Sequence, residues 1–290
     1  MKLTLVLMTV ANLSLSACQQ NDDSPIQKKN SAVIKSEQIV YFDVNTFKNE
    51  RSGDFGKDLL LEYDPQGNLI KESMILFDEN SKEETVHISS LFHYENGKRV
   101  KVESFSVLRG GIKKDEVIST YQKDGKLEKQ EFQAYENGKK ALNEYCFFIN
   151  YTYAKDETEN HYSFDKITQK FIHSFRLEKK FDKKNNLINQ TYYDSDNKPY
   201  RTNTRAYNSI NQLIKESTVD EYVDSEEMNE YNNQGDIVKV MGKDGSETIY
   251  TYKYDDRNNW IEKTEKLTAT KDGKSEIITN QLIKRSLNYY

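Results

Sequence analysis

Few residues in this chain have the type and spacing to do chemistry. The four histidines are His87, His93, His161 and His173. His87 and His93 have the same parity along a predicted strand and could share a face. Strand rise would hold their Cα atoms about 20 Å apart, too far for one metal ion. The two cysteines are Cys18 and Cys146. Cys146 stands between Tyr145 and Phe147, an apolar setting that predicts a buried, inert thiol rather than a nucleophile. Asp194-Ser195-Asp196 offers oxygens at the first and third positions of a calcium loop, but Lys198 fills the fifth and Arg205 the twelfth, where a bidentate Glu is needed. A plain turn is the better reading. Acidic pairs such as Glu83-Glu84, Asp115-Glu116 and Glu226-Glu227 could imitate the two carboxylates of a glycosidase. They sit beside predicted turns or on charged strands with lysines close by, as in residues 126–131, so solvated ion pairs of small net worth account for them. No H-E-x-x-H, G-x-S-x-G, Walker loop or G-x-G-x-x-G occurs. No catalytic residue, metal site or cofactor is predicted.

The informative pattern is structural. Tyr254-Asp255-Asp256-Arg257-Asn258-Asn259-Trp260-Ile261 has close relatives beginning at Tyr63, Phe181, Tyr207 and Tyr231. Each reads aromatic, Asp or Asn, two free positions, Gly or Asn, a polar residue, then two apolar residues. The fifth position holds only Gly67, Asn185, Asn211, Gly235 and Asn258, residue types that tolerate positive φ. The second holds Asp or Asn, whose side chain can bond the backbone two residues on. Pro65 sits where a type I turn favours proline. These choices agree on a three-residue hairpin loop, a type I turn closed by a left-handed residue in a G1 bulge. That loop would pair Tyr63 with Leu69, Phe181 with Leu187, Tyr207 with Leu213, Tyr231 with Ile237 and Tyr254 with Trp260 across the strands. The following residue, such as Ile70 or Ile261, is expected on the opposite sheet face.

Composition fits a sheet with little interior. Hydrophobic residues are 36%, charged residues 31% and the mean hydropathy −0.89, too polar for a thick spherical core. The 20 tyrosines supply much of the apolar area while keeping a polar end. A net charge of −5 argues against nucleic acid as a partner.

Residues 1–17 read as a targeting segment: Lys2 is a positive n-region and residues 3–13 a mostly apolar h-region, too short for a permanent span. Leu15-Ser16-Ala17-Cys18 resembles the lipobox of bacterial lipoproteins. The resemblance implies cleavage before Cys18, lipidation of its sulfur and anchoring to a membrane; an ordinary secretory signal is the alternative. Gln19 after the cysteine points to the outer membrane, with the periplasmic or surface face left open. Asp22-Asp23 loosely resembles the acidic surface-export signal of some Bacteroidetes lipoproteins. Residues 18–37 then read as a lipidated cysteine and flexible tether, and residues 38–290 as a single domain.

Within that domain the expected fold is all-β, an antiparallel meander of repeated hairpins forming a curled open sheet or a partly closed barrel. Asn96-Gly97 and Asn137-Gly138 are type I′ hairpin signals. Residues 142–153 form the most apolar run and predict a central buried strand. Turns are expected near 165–169, 182–185, 194–197, 208–211, 224–226, 232–235, 243–245, 255–258 and 271–273, a spacing of all-β rhythm. Residues 220–230 could hold a helical turn or two. Gly110-Gly111 reads as a loop.

The form at 63–70 and 254–261 resembles the YD repeat of RHS-type proteins, and Tyr-Glu-Asn-Gly-Lys at 94–98 and 135–139 looks like MORN-type repeats. The resemblance runs from about residue 58 to 290 and implies architecture and envelope location. A single hairpin cannot bury its own face, so neighbours must stack. The expected function is a non-catalytic envelope lipoprotein that binds or scaffolds a protein or glycan. An envelope-polymer hydrolase and an immunity or antitoxin-like lipoprotein are the alternatives. A transmembrane barrel is disfavoured by charges on both strand faces.

Overall fold

In the computed structural model, residues 33–43, 58–77, 84–108, 111–136, 139–141, 146–153, 156–271 and 274–290 are described. They form nineteen strands: β1 (Ile34–Asp43), β2 (Leu59–Tyr63), β3 (Leu69–Phe77), β4 (Glu84–Glu95), β5 (Lys98–Leu108), β6 (Gly111–Tyr121), β7 (Leu127–Glu136), β8 (Lys139–Ala141), β9 (Phe147–Tyr153) and β10 (Glu157–Asp165). The remainder are β11 (Lys170–Phe181), β12 (Leu187–Tyr193), β13 (Pro199–Tyr207), β14 (Leu213–Asp220), β15 (Asp224–Tyr231), β16 (Ile237–Gly242), β17 (Glu247–Tyr254), β18 (Trp260–Lys271) and β19 (Lys274–Tyr289). No helix occurs among the described residues.

Every pairing is antiparallel and joins sequence neighbours, with two exceptions. β8 and β9 lie along the same edge of β7, opposite Ala134–Glu136 and Lys129–Phe132 respectively, and so make one interrupted stave. β1 pairs with β2 on one side and with β19 on the other, from Ile34↔Tyr289 to Asp43↔Gln281. The described strands therefore close into an eighteen-stave barrel. An all-antiparallel ring needs an even number of staves, and eighteen satisfies this. The strand and hairpin expectations hold, and closure, which the sequence leaves open, is decided.

Strand alternation sorts the connections onto two rims. The start of β1, Tyr290 and the turns at 64–68, 95–98, 122–126, 182–186, 208–212, 232–236 and 255–259 share one, the terminal rim. The turns at 166–169, 194–198, 221–223 and 242–246 lie on the opposite rim.

Several details differ from the sequence expectation. β1 begins at Ile34, four residues before the expected domain boundary, because the end of β19 reaches back to pair with it. Residues 220–230 are not helical: Asp220 accepts the backbone N–H groups of Tyr222 and Val223 in a turn at 221–223, and Asp224 already opens β15. Gly111 is not in a loop but starts β6, opposite Leu108. Cys18, the signal and most of the tether, Asn137-Gly138 and residues 142–145 lie outside the described residues. β9 beyond them is well buried at Ile149 and Tyr151. Buried apolar side chains lie between β3 and β11 and at Ile283 on β19, with none described on β12–β18, and Ala134, Cys146 and Phe164 form the one cluster found among the described residues.

Candidate functional site

The five predicted turn residues all lie at positive φ: Gly67 at 85°, Asn185 at 66°, Asn211 at 64°, Gly235 at 93° and Asn258 at 60°. In each hairpin the Asp or Asn three residues earlier accepts the turn residue's N–H on its carbonyl, and its own N–H donates to the residue four on. Its side-chain oxygen gathers two further backbone donors, as Asp255 does from Arg257 and Asn259 at 2.9 and 2.8 Å. The same bonding recurs eight times among the described residues, adding Gln122–Lys126, Asp194–Lys198 and Gly242–Ser246 to the five read from sequence. Asp194 thus spends its carboxylate on the N–H groups of Asp196 and Lys198, as a turn and not a calcium loop. Asn258→Val should destabilise the protein by about 1–2 kcal/mol, since a β-branched residue resists the left-handed region, while Asn258→Gly should be near neutral. Melting temperatures of the two variants check this, and equal values would contradict it.

The predicted aromatic pairs all face their partners: Tyr63↔Leu69, Phe181↔Leu187, Tyr207↔Leu213, Tyr231↔Ile237 and Tyr254↔Trp260. The residue after each pair does not simply cross to the other face. The register slips there by one, so Ile70, Ile188, Ile214, Val238 and Ile261 are the extra residues of β-bulges. Ile70, Ile188, Ile214 and Ile261 are 37–38% exposed, the mark of one repeated environment.

A bulge disrupts the ladder beside it, and the next hairpin repairs it. Tyr207, Tyr231 and Tyr252 donate their hydroxyls to the carbonyls of Leu187, Leu213 and Ile237, at 3.0, 2.7 and 2.8 Å. Tyr121 does the same for Arg99, which precedes the slip at Val100. Each acceptor stands just before the extra residue of the preceding hairpin. Phe181, at the head of its own hairpin, has no hydroxyl to donate. Tyr254 instead donates to Asp236, and Tyr289 to Asp255. Tyrosine at the head of the repeat is therefore the tie between neighbouring hairpins along the terminal rim. Tyr252→Phe should cost about 1–2 kcal/mol by stranding the Ile237 carbonyl; urea unfolding measures it, and an unchanged midpoint would overturn the assignment.

Three of the four buried acids among the described residues are committed to fixed cations, and the fourth, Asp58, accepts the backbone N–H of Tyr41. On β10 and β11, Lys179 reaches Glu157 at 2.8 Å and Glu159 at 2.5 Å, while His161 Nε2 meets Glu159 at 2.8 Å and its ring stacks on Phe175. Burial acts to raise the Glu159 carboxyl, but the His161 hydrogen bond and the Lys179 charge outweigh it and hold it below the usual range. On β5 and β6, Lys101 and Lys114 bridge Glu103 and Glu116, and the Lys114 hydrogen bond leads in pulling Glu103 down to about 2. At the seam, Glu37 accepts Tyr63 Oη at 2.5 Å and pairs with Arg285. Every resolved carboxylate shift among the described residues is downward, the direction opposite to that of a general acid.

The other candidates disperse. A register slip opposite Glu72 and Ser73 falls between His87 and His93 and breaks their common parity. His93 pairs with Glu103 and His173 packs edge-on to Tyr162. Among the described residues no three His, Cys, Asp or Glu side chains group to hold a metal ion. Cys146 is 2% exposed.

Sequence reasoning missed the cations. Lys263 lies over Tyr250, Arg285 over Trp260, Arg257 over Tyr289, Lys98 over Tyr121, Lys126 over Tyr153 and Arg176 over Tyr193, each 4.0–5.2 Å from the ring centre. Five more such contacts involve Tyr290, Phe92, Tyr135, Phe148 and Phe42. Proteins carry about one energetically significant contact of this kind per 70–80 residues, so capping of rings is a systematic feature here. Its only sequence signal is the interleaving of Lys and Arg with Tyr. The strands also bear charge on both faces. Lys263 and Glu265 share the face of Tyr250, Tyr252 and Tyr254, and Lys253, Glu262 and Lys266 lie on the other.

No protein-family model matches the chain, and no curated protein sequence does. Among solved structures it is similar to a porin-like protein from Bacteroides uniformis ATCC 8492, at 9% identity over 89% of this chain and 98% of that one, with a TM-score of 0.48. A second porin-like protein, from Bacteroides vulgatus ATCC 8482, is 10% identical over 89% and 99%, with a TM-score of 0.27. A protein of unknown function from Bacteroides fragilis NCTC 9343 is 19% identical over 46% and 91%, with a TM-score of 0.30.

Proposed function

We propose that the chain is a non-catalytic, lipid-anchored barrel of the cell envelope that serves as a binding or scaffolding module for a protein partner. The observation that carries the non-catalytic part is the commitment of the buried glutamates: Glu37, Glu116 and Glu159 each face a lysine or arginine, while buried Asp58 accepts a backbone N–H. A glycosidase pair needs one carboxylic acid held neutral by its surroundings, and at Glu116 and Glu159 the surroundings act the other way. A protein partner is favoured over a glycan because sugar recognition by aromatic rings needs bare ring faces. Here lysine and arginine cover many of them, and hydroxyls such as those of Tyr207, Tyr231 and Tyr252 are spent on the chain's own carbonyls.

The anchor is Cys18 in the lipobox-like Leu15-Ser16-Ala17-Cys18, with Gln19 favouring the outer membrane. The YD-like turns supply the repeat from which the barrel is built. Charge in mid-strand on both faces opposes a reading in which the barrel wall meets lipid, so the acyl chains are the attachment. Growth of the producing cells with [³H]palmitate should label the wild-type protein and leave Cys18→Ala unlabelled. Absence of label from wild type, or label retained by the variant, rejects the anchor. Crosslinking in intact envelopes should yield protein adducts, and turnover of an envelope polymer by the purified barrel would restore the hydrolase reading.

A further inference from the structure

One sector of the opposite rim departs from the rule that cations cap the rings. Tyr222 is 87% exposed at the tip of the turn joining β14 to β15, and Val219 and Val223 on either side are exposed as well. Tyr200 is the extra residue of a bulge on β13: the pairs Tyr193↔Pro199 and Tyr192↔Arg201 leave it over. Arg201 faces Asp220 in the last pair of β13 and β14, and Tyr200 and Glu221 are each one residue beyond it. No described lysine or arginine lies over Tyr200 or Tyr222, unlike Tyr121, Tyr289 and Trp260 at the terminal rim.

The charge around these rings is unbalanced. Residues 194–198, 220–224 and 242–246 are successive turns of this rim, each two strands and hence about 10 Å from the next. With Arg201 they carry six carboxylates against three cations. Arg201 is taken by Asp220 and Lys243 by Asp224. Glu221 and Asp196 are exposed, and neither side chain has a described partner. Exposed aromatic faces flanked by valines and unmatched carboxylates suit a cation brought from outside: the rings and acids attract it, and the valines take apolar contact beside it.

We propose that this sector, centred on Tyr222 and Tyr200, docks a protein segment that presents lysine or arginine beside aliphatic side chains. The inference rests on the binding-module reading above and adds where the partner sits and what it carries.

The test places a photo-crosslinking benzophenone amino acid at Tyr222 and, separately, at Ile210 on the terminal rim, in the full-length protein in its own envelope. Mass spectrometry identifies the segment attached. The expected result is an adduct from position 222 but not from 210, on a segment containing Lys or Arg, with its yield cut at least fivefold by Glu221→Lys. The melting temperature of Glu221→Lys should match wild type, so that the lost yield reports charge and not folding. An adduct from 210 alone, an acidic attached segment or a yield indifferent to Glu221→Lys overturns the docking sector and leaves the binding-module reading standing. No adduct from either position removes both.

Discussion

Arg285→Met is expected to destabilise the barrel by about 3–5 kcal/mol and to loosen its seam. Glu37 is 5% exposed and lies on β1, 248 residues from Arg285 on β19. Its carboxylate is held by the guanidinium and by the Tyr63 hydroxyl from β2, so three strands meet at one charge. Arg285 also lies over Trp260 of β18. Removing the cation leaves a buried carboxylate without its counter-charge, and breaking a buried pair from one side costs about that much. Replacing both partners is expected to restore most of the loss, because an apolar pair of similar volume incurs no desolvation of charge. Urea unfolding of Arg285→Met, and of the double variant Glu37→Leu with Arg285→Met, makes the comparison. A single variant within about 1 kcal/mol of wild type would show that the seam does not depend on this contact. Hydrogen exchange should show the β1 amides opening first, since β1 pairs with β2 over only Ser36 to Ile39.

Alkali is expected to unfold the protein in a single transition between about pH 10 and 12. Burial, followed by the Asp236 hydrogen bond, pushes Tyr254 up to about 12; burial and then the Glu157 charge do the same for Tyr153. Tyr63 and Tyr252 are raised further, by burial first and then by Glu37 and Asp236 respectively. The sign follows from linkage. A tyrosine in the unfolded chain ionises near pH 10, and the folded state keeps the proton to higher pH. Below pH 10 both states are protonated and the contribution is whole; it is lost as pH rises towards the folded value. Each tenfold change in proton affinity is about 1.4 kcal/mol. Halved for screening at part-exposed rings, several tyrosines together still remove a large share of a stability of about 5–15 kcal/mol. Tyrosinate absorbance and loss of β circular dichroism should therefore rise together. Ionisation complete by pH 10.5 with the sheet intact would contradict the role given to the hydroxyls.

The repeated hairpins were legible because their cause is local. Whether Asn258 adopts φ 60° depends on a five-residue segment in which Asp255 supplies the acceptor and Asn258 tolerates the twist. The three further turns of the same bonding were missed as members of the set because Gln122 and Gly242 replace the Asp or Asn and Pro199 or Glu247 the first of the two apolar residues, while the backbone pattern survives. The G1 bulge of each turn was foreseen, but the second slip one pair beyond it was not. Ile188 and Ile214 look like ordinary alternating strand residues, and only the slip against the partner strand shows them to be extra. The tyrosine ties were invisible for the same reason: Tyr252 meets the Ile237 carbonyl across a hairpin boundary, not along its own strand.

By itself the sequence determined the strand type, most turn positions and the lack of a recognisable catalytic motif, since these depend on dihedral preference, alternation and residue identity over short spans. Tertiary structure decided that β1 meets β19, that Glu37 finds Arg285, and that lysines and arginines lie on tyrosine rings. Ring closure sums the twist and slip of eighteen staves. No window of sequence contains that sum, and the contacts it creates join residues that have no local reason to be neighbours.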